Sequence, residues 1–261
     1  MRAATETVRF ARPLSSARTS SALRRTFPAI WARRRDPHLH LQLALFALFG
    51  AAAWAFGHIV EDYLTGDPLV RWDVHFSRWL HEHSSSTLVS VFNVLTYAGS
   101  VPVLGLVTVA VALYLLRRGR LNEATLLCVA ALGIEIVNPI LKLVFHRPRP
   151  QLAYVHLDTY SFPSGHAAGS AAVYALVLYV LARHARPRWQ VFAAVGYVVL
   201  VAIIGFSRLY LEVHYLSDVL AGLSLGAAWA SAWLFVYEWR HDAVSRFLPA
   251  RWRAAAARLR A

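Results

Sequence analysis

Six long apolar segments take up most of this 261-residue chain, and they constrain its fold more than any other feature. Each is close to the ~20 residues that a helix needs to cross the hydrocarbon core of a bilayer. Backbone polar groups must be satisfied internally in lipid, so segments of this kind form helices. The sequence therefore predicts an all-α polytopic membrane protein, a bundle of six transmembrane helices. The segments run from Leu39 to Val60, Val94 to Leu116, Leu121 to Leu141, His166 to Ala182, Gln190 to Phe206 and Leu216 to Trp239.

The remaining sequence predicts two tails and one surface helix. Residues 1–38 are rich in Arg, Ser, Thr and Ala and poor in acids, which is typical of a disordered tail. Residues 39–240 form one membrane domain, and residues 241–261 a basic C-terminal tail. In the stretch 67–88, apolar residues recur at helical spacing, which indicates an amphipathic helix on the membrane surface. Those residues are Trp72, Phe76, Trp79 and Leu80.

The arginines set the expected orientation. The formal charge is +13, and the arginines concentrate in both tails and in the turns 117–120 and 183–188. Positive residues stay on the cytoplasmic side, so both termini are predicted to be cytoplasmic and the loops 61–90 and 142–163 extracytoplasmic. The positive charge then follows topology and predicts no nucleic-acid partner. The arginine bias and the single domain indicate a bacterial inner membrane.

Composition also limits metal and disulfide chemistry. The single cysteine, Cys128, excludes an internal disulfide. With 14 acidic residues and no cluster of carboxylates, the sequence predicts no bound Mg²⁺ or Ca²⁺ and no cofactor.

Three short clusters follow one another in the second half of the chain. The first is Lys142, six residues, then Arg149-Pro150; the second is Pro163-Ser164-Gly165-His166. The third is Ser207-Arg208, five residues, His214, three residues, Asp218. The predicted topology places all three on the extracytoplasmic side, so they can share one site.

The cationic residues of these clusters suit a phosphate group. Arg149 and Arg208 offer planar guanidinium groups with several donors, and Lys142, the only lysine in the chain, offers a compact charge. The alternative for each is a side chain that reaches to the membrane interface. Their fixed spacing from two histidines favours phosphate binding.

The histidines suit proton transfer and nucleophilic attack. His214 and Asp218 are four residues apart and share one helix face, so the carboxylate can hold one ring nitrogen and leave the other as a nucleophile. The alternative is that Asp218 and Ser217 cap the sixth helix. Ser164 and Gly165 are typical of a helix start that binds anions, with Ser164 as the cap. His166 then lies where it can act as acid and base.

The three clusters resemble the signature motifs of the type 2 phosphatidic acid phosphatase (PAP2) superfamily, in its integral-membrane lipid phosphatase branch. The resemblance covers about residues 39–240. It implies a helical bundle and a metal-independent reaction through a phosphohistidine. By position, it implies that His214 is the nucleophile, Asp218 its orienting partner and His166 the acid and base. It assigns phosphate binding to Lys142, Arg149, Ser164, Gly165 and Arg208.

Four positions add to the motifs or depart from them. Arg147 precedes Arg149 in a second Arg-Pro pair, and it either assists at the site or faces lipid headgroups. Glu212 stands where the family often has a small residue, and Leu216 where it often has Pro; both leave substrate choice open. Glu135 shares a helix face with Lys142, and it either pairs with Lys142 or a nearby arginine or packs inward.

The sequence therefore predicts a membrane lipid phosphatase acting at the extracytoplasmic face. The candidate substrates are undecaprenyl pyrophosphate, phosphatidate and phosphatidylglycerophosphate. One alternative is a phosphotransferase that passes the phosphoryl group to an acceptor hydroxyl. Another is a non-catalytic lipid binder or transporter, which would need the cations but not His166, His214 and Asp218. The oligomeric state stays open.

Overall fold

A computed structural model describes the protein over residues 37–66, 68–155 and 157–247. The predicted N-terminal tail, apart from its last two residues, and residues 248–261 of the predicted C-terminal tail lie outside the described residues. All regular elements in the described part are helical. They are α1 (Pro37–Thr65), α2 (Pro68–Glu82), α3 (Ser86–Leu95), a short 3-10 helix (Thr96–Gly99), α4 (Val101–Arg117), α5 (Leu121–Phe145), α6 (Gly165–Ala182), α7 (Pro187–Tyr210) and α8 (Leu216–Phe247).

Five helices are long and apolar enough to cross a membrane on their own. They are His38–Thr65, Leu121–Phe145, Gly165–Ala182, Pro187–Tyr210 and Leu216–Arg240. The sixth candidate is a bent pair, Ser86–Gly99 and Val101–Arg117, with an angle of 44° between its halves. The predicted all-α bundle is confirmed, with this broken helix in place of the second segment.

The break in the second segment has a local cause. Ser100 has extended backbone angles, φ −76° and ψ 149°, and caps α4. Pro102 follows in the first turn of α4, where its missing N–H costs nothing. Residues 94–100 were predicted as part of a continuous helix because their apolar side chains continue the pattern across the break.

Small residues let α6 and α8 approach closely. A methyl group added at Gly222 of α8 would lie 2.5 Å from the carbonyl oxygen of Ser164 and 3.0 Å from Cβ of Ala167. One added at Gly226, one turn later, would lie 2.8 Å from Cβ of Ala171. Membrane helices often pack through such small residues spaced four apart. This contact brings the N-terminal ends of α6 and α8 together.

The predicted amphipathic segment is the helix α2, and its inward face packs on the bundle. Leu80 is buried in a cluster with Ala167, Leu209, Tyr210 and Val219. Trp72 and Trp79 point outward and are more than half exposed. The helix therefore covers the ends of α6, α7 and α8. Its place on the membrane surface remains a prediction.

The arginine-rich turns meet at the other end of the bundle. Nη2 of Arg120 donates to the carbonyl of Val180 near the end of α6. Arg183, just after α6, lies 3.6 Å from the carboxylate of Glu238 in α8. The two turns and the C-terminal half of α8 thus share one end, opposite the three sequence clusters.

Candidate active site

The three clusters converge at one end of the bundle. The first lies at the end of α5 and in the following loop, the second at the start of α6, and the third between the end of α7 and the start of α8. Lys142, Arg149, Arg208 and His166 all lie within electrostatic range of the His214 ring. The structure therefore brings Lys142, Arg149, Arg208 and His166 together around His214, while Glu135, the suggested partner of Lys142, lies apart from them.

His214 and Asp218 face each other across the first turn of α8. Nδ1 of His214 lies 3.4 Å from Oδ2 of Asp218. The same oxygen accepts a hydrogen bond of 2.9 Å from the backbone N–H of Tyr215. A carboxylate in the first turn that accepts from the N-cap N–H is half of a capping box. Oδ2 of Asp218 thus makes both contacts that the sequence left as alternatives: one with the His214 ring and one that caps the start of α8.

Arg149 identifies which nitrogen of His214 carries the lone pair. Its Nη1 lies 3.4 Å from Nε2 of His214. Because a guanidinium group can only donate, this contact favours the tautomer in which Nε2 is unprotonated and the proton lies on Nδ1, which faces Asp218. This is the tautomer that leaves Nε2 available as a nucleophile.

The surroundings of His214 keep its ring neutral. His214 is 3% exposed, and it lies in the turn between α7 and α8. Burial, together with the positive charges of Lys142, Arg208 and Arg149, lowers the pKa of His214 well below its ordinary value. A neutral imidazole is the form that can attack phosphorus.

Arg149 also ties two segments of the site together. Nε donates to the carbonyl of Thr159 at 2.7 Å, and Nη2 to Oγ1 of Thr159 at 2.8 Å. Nη1 donates to the carbonyl of Val213 at 2.6 Å. The guanidinium group is therefore fixed between the loop after α5 and the turn that carries His214.

One face of α5 supports the loop that leads into α6. Nζ of Lys142 donates to the carbonyl of Tyr160 at 2.6 Å. Nδ2 of Asn138 donates to the carbonyl of Pro163 at 3.4 Å, and its Oδ1 lies against Gly165. A side chain at position 165 would strike this amide, so glycine is required there by close approach.

Ser164 and Arg208 each have a buried donor atom that lacks a hydrogen-bond partner among the described residues. Ser164 is fully buried at the N-cap of α6, but its hydroxyl makes no capping hydrogen bond, contrary to the expected cap. Nη1 of Arg208 donates to Oγ1 of Thr96 at 2.7 Å, while its Nε has no partner in the described part of the chain. A buried donor without a partner costs about 1–3 kcal/mol. Phosphoryl oxygens are acceptors that both groups can bind.

His166 and Glu135 differ in how they relate to the site. His166 is partly buried in the first turn of α6, and within the described ranges its ring has no hydrogen bond to another residue.

Glu135 lies two turns before Lys142, about 10 Å along the helix. Its carboxylate lies against Gly169 of α6. No hydrogen bond or ion pair joins Glu135 to Lys142 or to a described arginine, so the inward alternative describes its place.

Arg147 is a part of the site that the sequence left undecided. Its side chain is 5% exposed, so it does not face headgroups. Nη1 donates to Oδ1 of Asp218 at 2.6 Å, and Nη2 to Oδ2 of Asp73 at 2.7 Å. Asp73 of α2 was missed altogether. The available signal was its position three residues before Phe76 and seven residues before Leu80. This spacing places the Asp73 carboxylate on the same, inward face of the amphipathic helix.

Glu212 points away from the phosphate-binding residues. Its Oε1 lies 2.7 Å from Nδ1 of His81 at the end of α2. Its backbone has a positive φ of 56°, a conformation that glycine adopts without strain. Glu212 therefore has a backbone conformation that a glycine, the kind of small residue the family often has here, adopts more easily. Its carboxylate is paired with His81.

No group of three His, Cys, Asp or Glu side chains within the described ranges is arranged to hold a metal ion. The cations available for a phosphate group there are those of Lys142, Arg149 and Arg208.

The second half of the chain matches a known protein family. Residues 123–242 match the PAP2 superfamily. This region contains all three clusters. The predicted resemblance to the PAP2 superfamily is confirmed over this region.

The curated relatives are bacterial. The chain is 39% identical over 97 residues to phosphatidylglycerophosphatase B of Bacillus subtilis (strain 168), covering 35% of this chain and 47% of that protein. It is 39% identical over 71 residues to an uncharacterised 22.5 kDa protein in the cps region of Klebsiella pneumoniae, covering 27% and 34%. The chain thus matches about half of the first relative's length and about a third of the second's.

Two solved structures share the fold. The transmembrane PAP2-type phosphatidylglycerolphosphate phosphatase from Bacillus subtilis has a TM-score of 0.64 at 26% identity, covering 79% of this chain and 98% of that one. Aquifex aeolicus LpxE has a TM-score of 0.51 at 21% identity, covering 62% and 94%, a likeness of fold. The protein is an integral membrane protein, and its relatives support the expected enzyme class, phosphoric-ester hydrolysis.

Proposed function

We propose that this protein is a membrane lipid phosphatase that acts through a phosphohistidine at His214. The observation that carries the proposal is the orientation of one ring. Nδ1 of His214 faces Asp218, while Nε2 faces Arg149, a group that can only donate. The nitrogen that bears the lone pair is therefore the one beside a phosphate-binding cation.

In the first half-reaction, Nε2 of His214 attacks the phosphorus atom. A nitrogen–phosphorus bond forms as the bond between phosphorus and the lipid oxygen breaks. Lys142, Arg149 and Arg208 neutralise the phosphoryl oxygens, and the hydroxyl of Ser164 and the first N–H groups of α6 donate to them. His166 gives its proton to the departing lipid oxygen.

In the second half-reaction, water replaces the histidine. His166, now neutral, takes a proton from the water as its oxygen attacks phosphorus. The nitrogen–phosphorus bond breaks, and inorganic phosphate and neutral His214 are released. Asp218 stabilises the imidazolium character that His214 gains while it carries the phosphoryl group.

The substrate is a lipid phosphate or a polyprenyl pyrophosphate. Phosphatidylglycerophosphate is the first to test, because the curated relative and the solved structure from Bacillus subtilis are both named for its hydrolysis. Phosphatidate and undecaprenyl pyrophosphate complete the panel. Detergent-purified protein is expected to release phosphate from at least one of the three, and His214→Ala from none. Release that survives in His214→Ala would refute the proposal.

The same assay separates the two alternatives. Without an acceptor, a phosphotransferase consumes at most one lipid per enzyme molecule and releases no phosphate. When an acceptor alcohol is added, it turns over and yields a phosphorylated acceptor. A lipid binder or transporter leaves every substrate intact. Phosphate release without an acceptor therefore excludes both.

The site is proposed to face the extracytoplasmic side. The arginine-rich turns lie at the opposite end of the bundle, and positive residues stay in the cytoplasm. A background with Cys128→Ser removes the single cysteine. In intact cells, a membrane-impermeant maleimide should label Gln151→Cys, at the site end, and should not label Arg118→Cys. The reverse pattern would refute this orientation.

A further inference from the structure

A buried fork connects the surface helix α2 to the carboxylate that orients His214. Nη1 of Arg147 donates to Oδ1 of Asp218 and to Oγ of Ser217, each at 2.6 Å. Nη2 donates to Oδ2 of Asp73 at 2.7 Å. The side chains of Asp73 and Asp218 are fully buried. One guanidinium group therefore holds carboxylates from two helices.

Asp73 also holds the first turn of α8. Its Oδ1 accepts a hydrogen bond of 2.9 Å from the backbone N–H of Ser217, and its Oδ2 accepts one from the hydroxyl of the same serine. Ser217, the residue next to Asp218, is thus held by both carboxylate oxygens of a residue on a helix that the motifs do not include.

The two oxygens of Asp218 have separate tasks. Oδ1 is held by Arg147, and Oδ2 lies against the N–H of Tyr215 and Nδ1 of His214. Without the arginine, the carboxylate could turn about its terminal torsion, which is broad in aspartate. Oδ2 would then no longer be held against Nδ1 of His214. The tautomer of His214 would no longer be fixed either.

Aromatic rings fix the plane of the guanidinium group. The central carbon of Arg147 lies 4.5 Å from the ring centre of Tyr215 and 5.0 Å from that of Tyr63. A lysine would keep the positive charge but could not form the fork or stack in this way. With its donors committed to carboxylates and its side chain buried, Arg147 is not placed to bind the phosphoryl group itself.

We propose that Asp73 and Arg147 are positioning residues that act as one unit through Asp218 to hold His214 for attack. The proposal rests on the proposed function, because it gives the two residues a role in nucleophilic attack by His214. It makes α2, which lies outside the three motifs, a part of the catalytic machinery.

Steady-state kinetics of the detergent-purified full chain test the proposal. Removing a partner that orients a metal-ligating histidine typically costs ~10–100-fold in activity, and we expect a similar range for a partner that orients His214. We expect that Asp73→Asn and Arg147→Lys each lower kcat within that range, with KM unchanged within about twofold. A loss of kcat with a constant KM distinguishes positioning from weakened phosphate binding.

A matched variant controls for stability. Glu238 is a buried carboxylate at the opposite end of the bundle, beside Tyr179 and Arg183. Glu238→Gln is expected to lower the melting temperature and to keep the wild-type kcat per folded molecule. Asp73→Asn is expected to lower kcat per folded molecule. If kcat of both variants falls only in proportion to the folded fraction, the role of Asp73 is structural and the proposal is wrong.

The double variant tests whether the two residues form one unit. Residues that act through a shared partner show losses that do not multiply. Asp73→Asn with Arg147→Lys should lose no more than the worse single variant, within about threefold. Multiplied losses would overturn the proposal. His214→Ala is assayed alongside: if it is inactive while Asp73→Asn keeps the wild-type kcat, the positioning proposal fails and the phosphatase proposal stands.

Discussion

Oε1 of Glu212 lies 2.7 Å from Nδ1 of His81, so a buried carboxylate two residues before His214 is paired with a partly exposed histidine. The second oxygen of Glu212 is buried and has no hydrogen-bond partner within residues 37–66, 68–155 and 157–247. The pair joins the end of α2 to the turn that carries His214. It also directs the negative charge away from the phosphate-binding residues.

Glu212→Gln should change how stability depends on pH. Burial raises the pKa of Glu212 above its ordinary value of 4.5, although the hydrogen bond to His81 opposes the shift. A raised pKa in the folded state gives stability that is present below the ordinary pKa and lost as pH rises through the raised one. Glutamine does not titrate. The melting temperature of Glu212→Gln relative to wild type should therefore increase from about pH 4 to about pH 8.

The control for that measurement is Glu61→Gln, at an exposed glutamate of α1. Its melting temperature relative to wild type should stay constant over the same range. If the melting temperature of Glu212→Gln relative to wild type stays constant or decreases with pH, ionisation of the buried Glu212 does not destabilise the folded protein, and the prediction is wrong.

Asp218→Asn should lower kcat by about 10⁴-fold, as the loss of a histidine's orienting carboxylate does in serine proteases. An amide can present an N–H to Nδ1, which favours the wrong tautomer of His214. The measurement is phosphate release at saturating lipid, with Glu238→Gln as the control for a lost buried carboxylate. A rate near wild type would leave Asp218 with its capping contact to Tyr215 alone.

Gly222→Ala should damage both stability and catalysis. The added methyl group would lie 2.5 Å from the carbonyl oxygen of Ser164, where α6 begins. Overpacking of this kind costs about 1–3 kcal/mol, and the shift would displace Ser164 and His166. The control is Gly196→Ala in α7, where nothing lies within 4 Å. Melting temperatures and kcat should fall for the first variant only; equal effects would contradict the close packing of α6 on α8.

Activity should survive metal chelators and should be inhibited by vanadate. In the proposed reaction, Lys142, Arg149 and Arg208 supply the positive charge for the phosphoryl oxygens, so we expect no requirement for a divalent ion. Vanadate resembles pentacoordinate phosphate and should compete with the lipid. Phosphate release is measured with and without EDTA, and against increasing vanadate. A strict requirement for a divalent metal would contradict the proposed chemistry.

The sequence predicted most of the membrane-spanning helices, and it predicted that the three sequence clusters lie at the same end of the bundle. Five of the six apolar segments are single helices because length and hydropathy alone determine them in lipid. The second segment breaks at Ser100, where one extended residue interrupts an apolar run that continues on both sides. Local pattern could not show this, since the side chains on either side are equally apolar.

The positions of Arg147 and Asp73 depended on tertiary structure. The spacing of the motifs separated Arg149 from Arg147 but could not show that Arg147 turns toward Asp218. Asp73 becomes part of the site only because α2 folds back over the start of α8. The same holds for Glu135, which shares a helix face with Lys142 but lies two turns away, against Gly169.

The central claim is that the phosphoryl group passes through His214, and trapping that intermediate tests it most directly. The detergent-purified protein would be mixed with ³²P-labelled phosphatidylglycerophosphate, quenched in alkali within its first turnover, and digested for mass spectrometry. We predict an acid-labile, alkali-stable phosphoryl group on the peptide that contains His214. It should be absent from His214→Ala. Turnover of the lipid with no label on His214 would contradict the account.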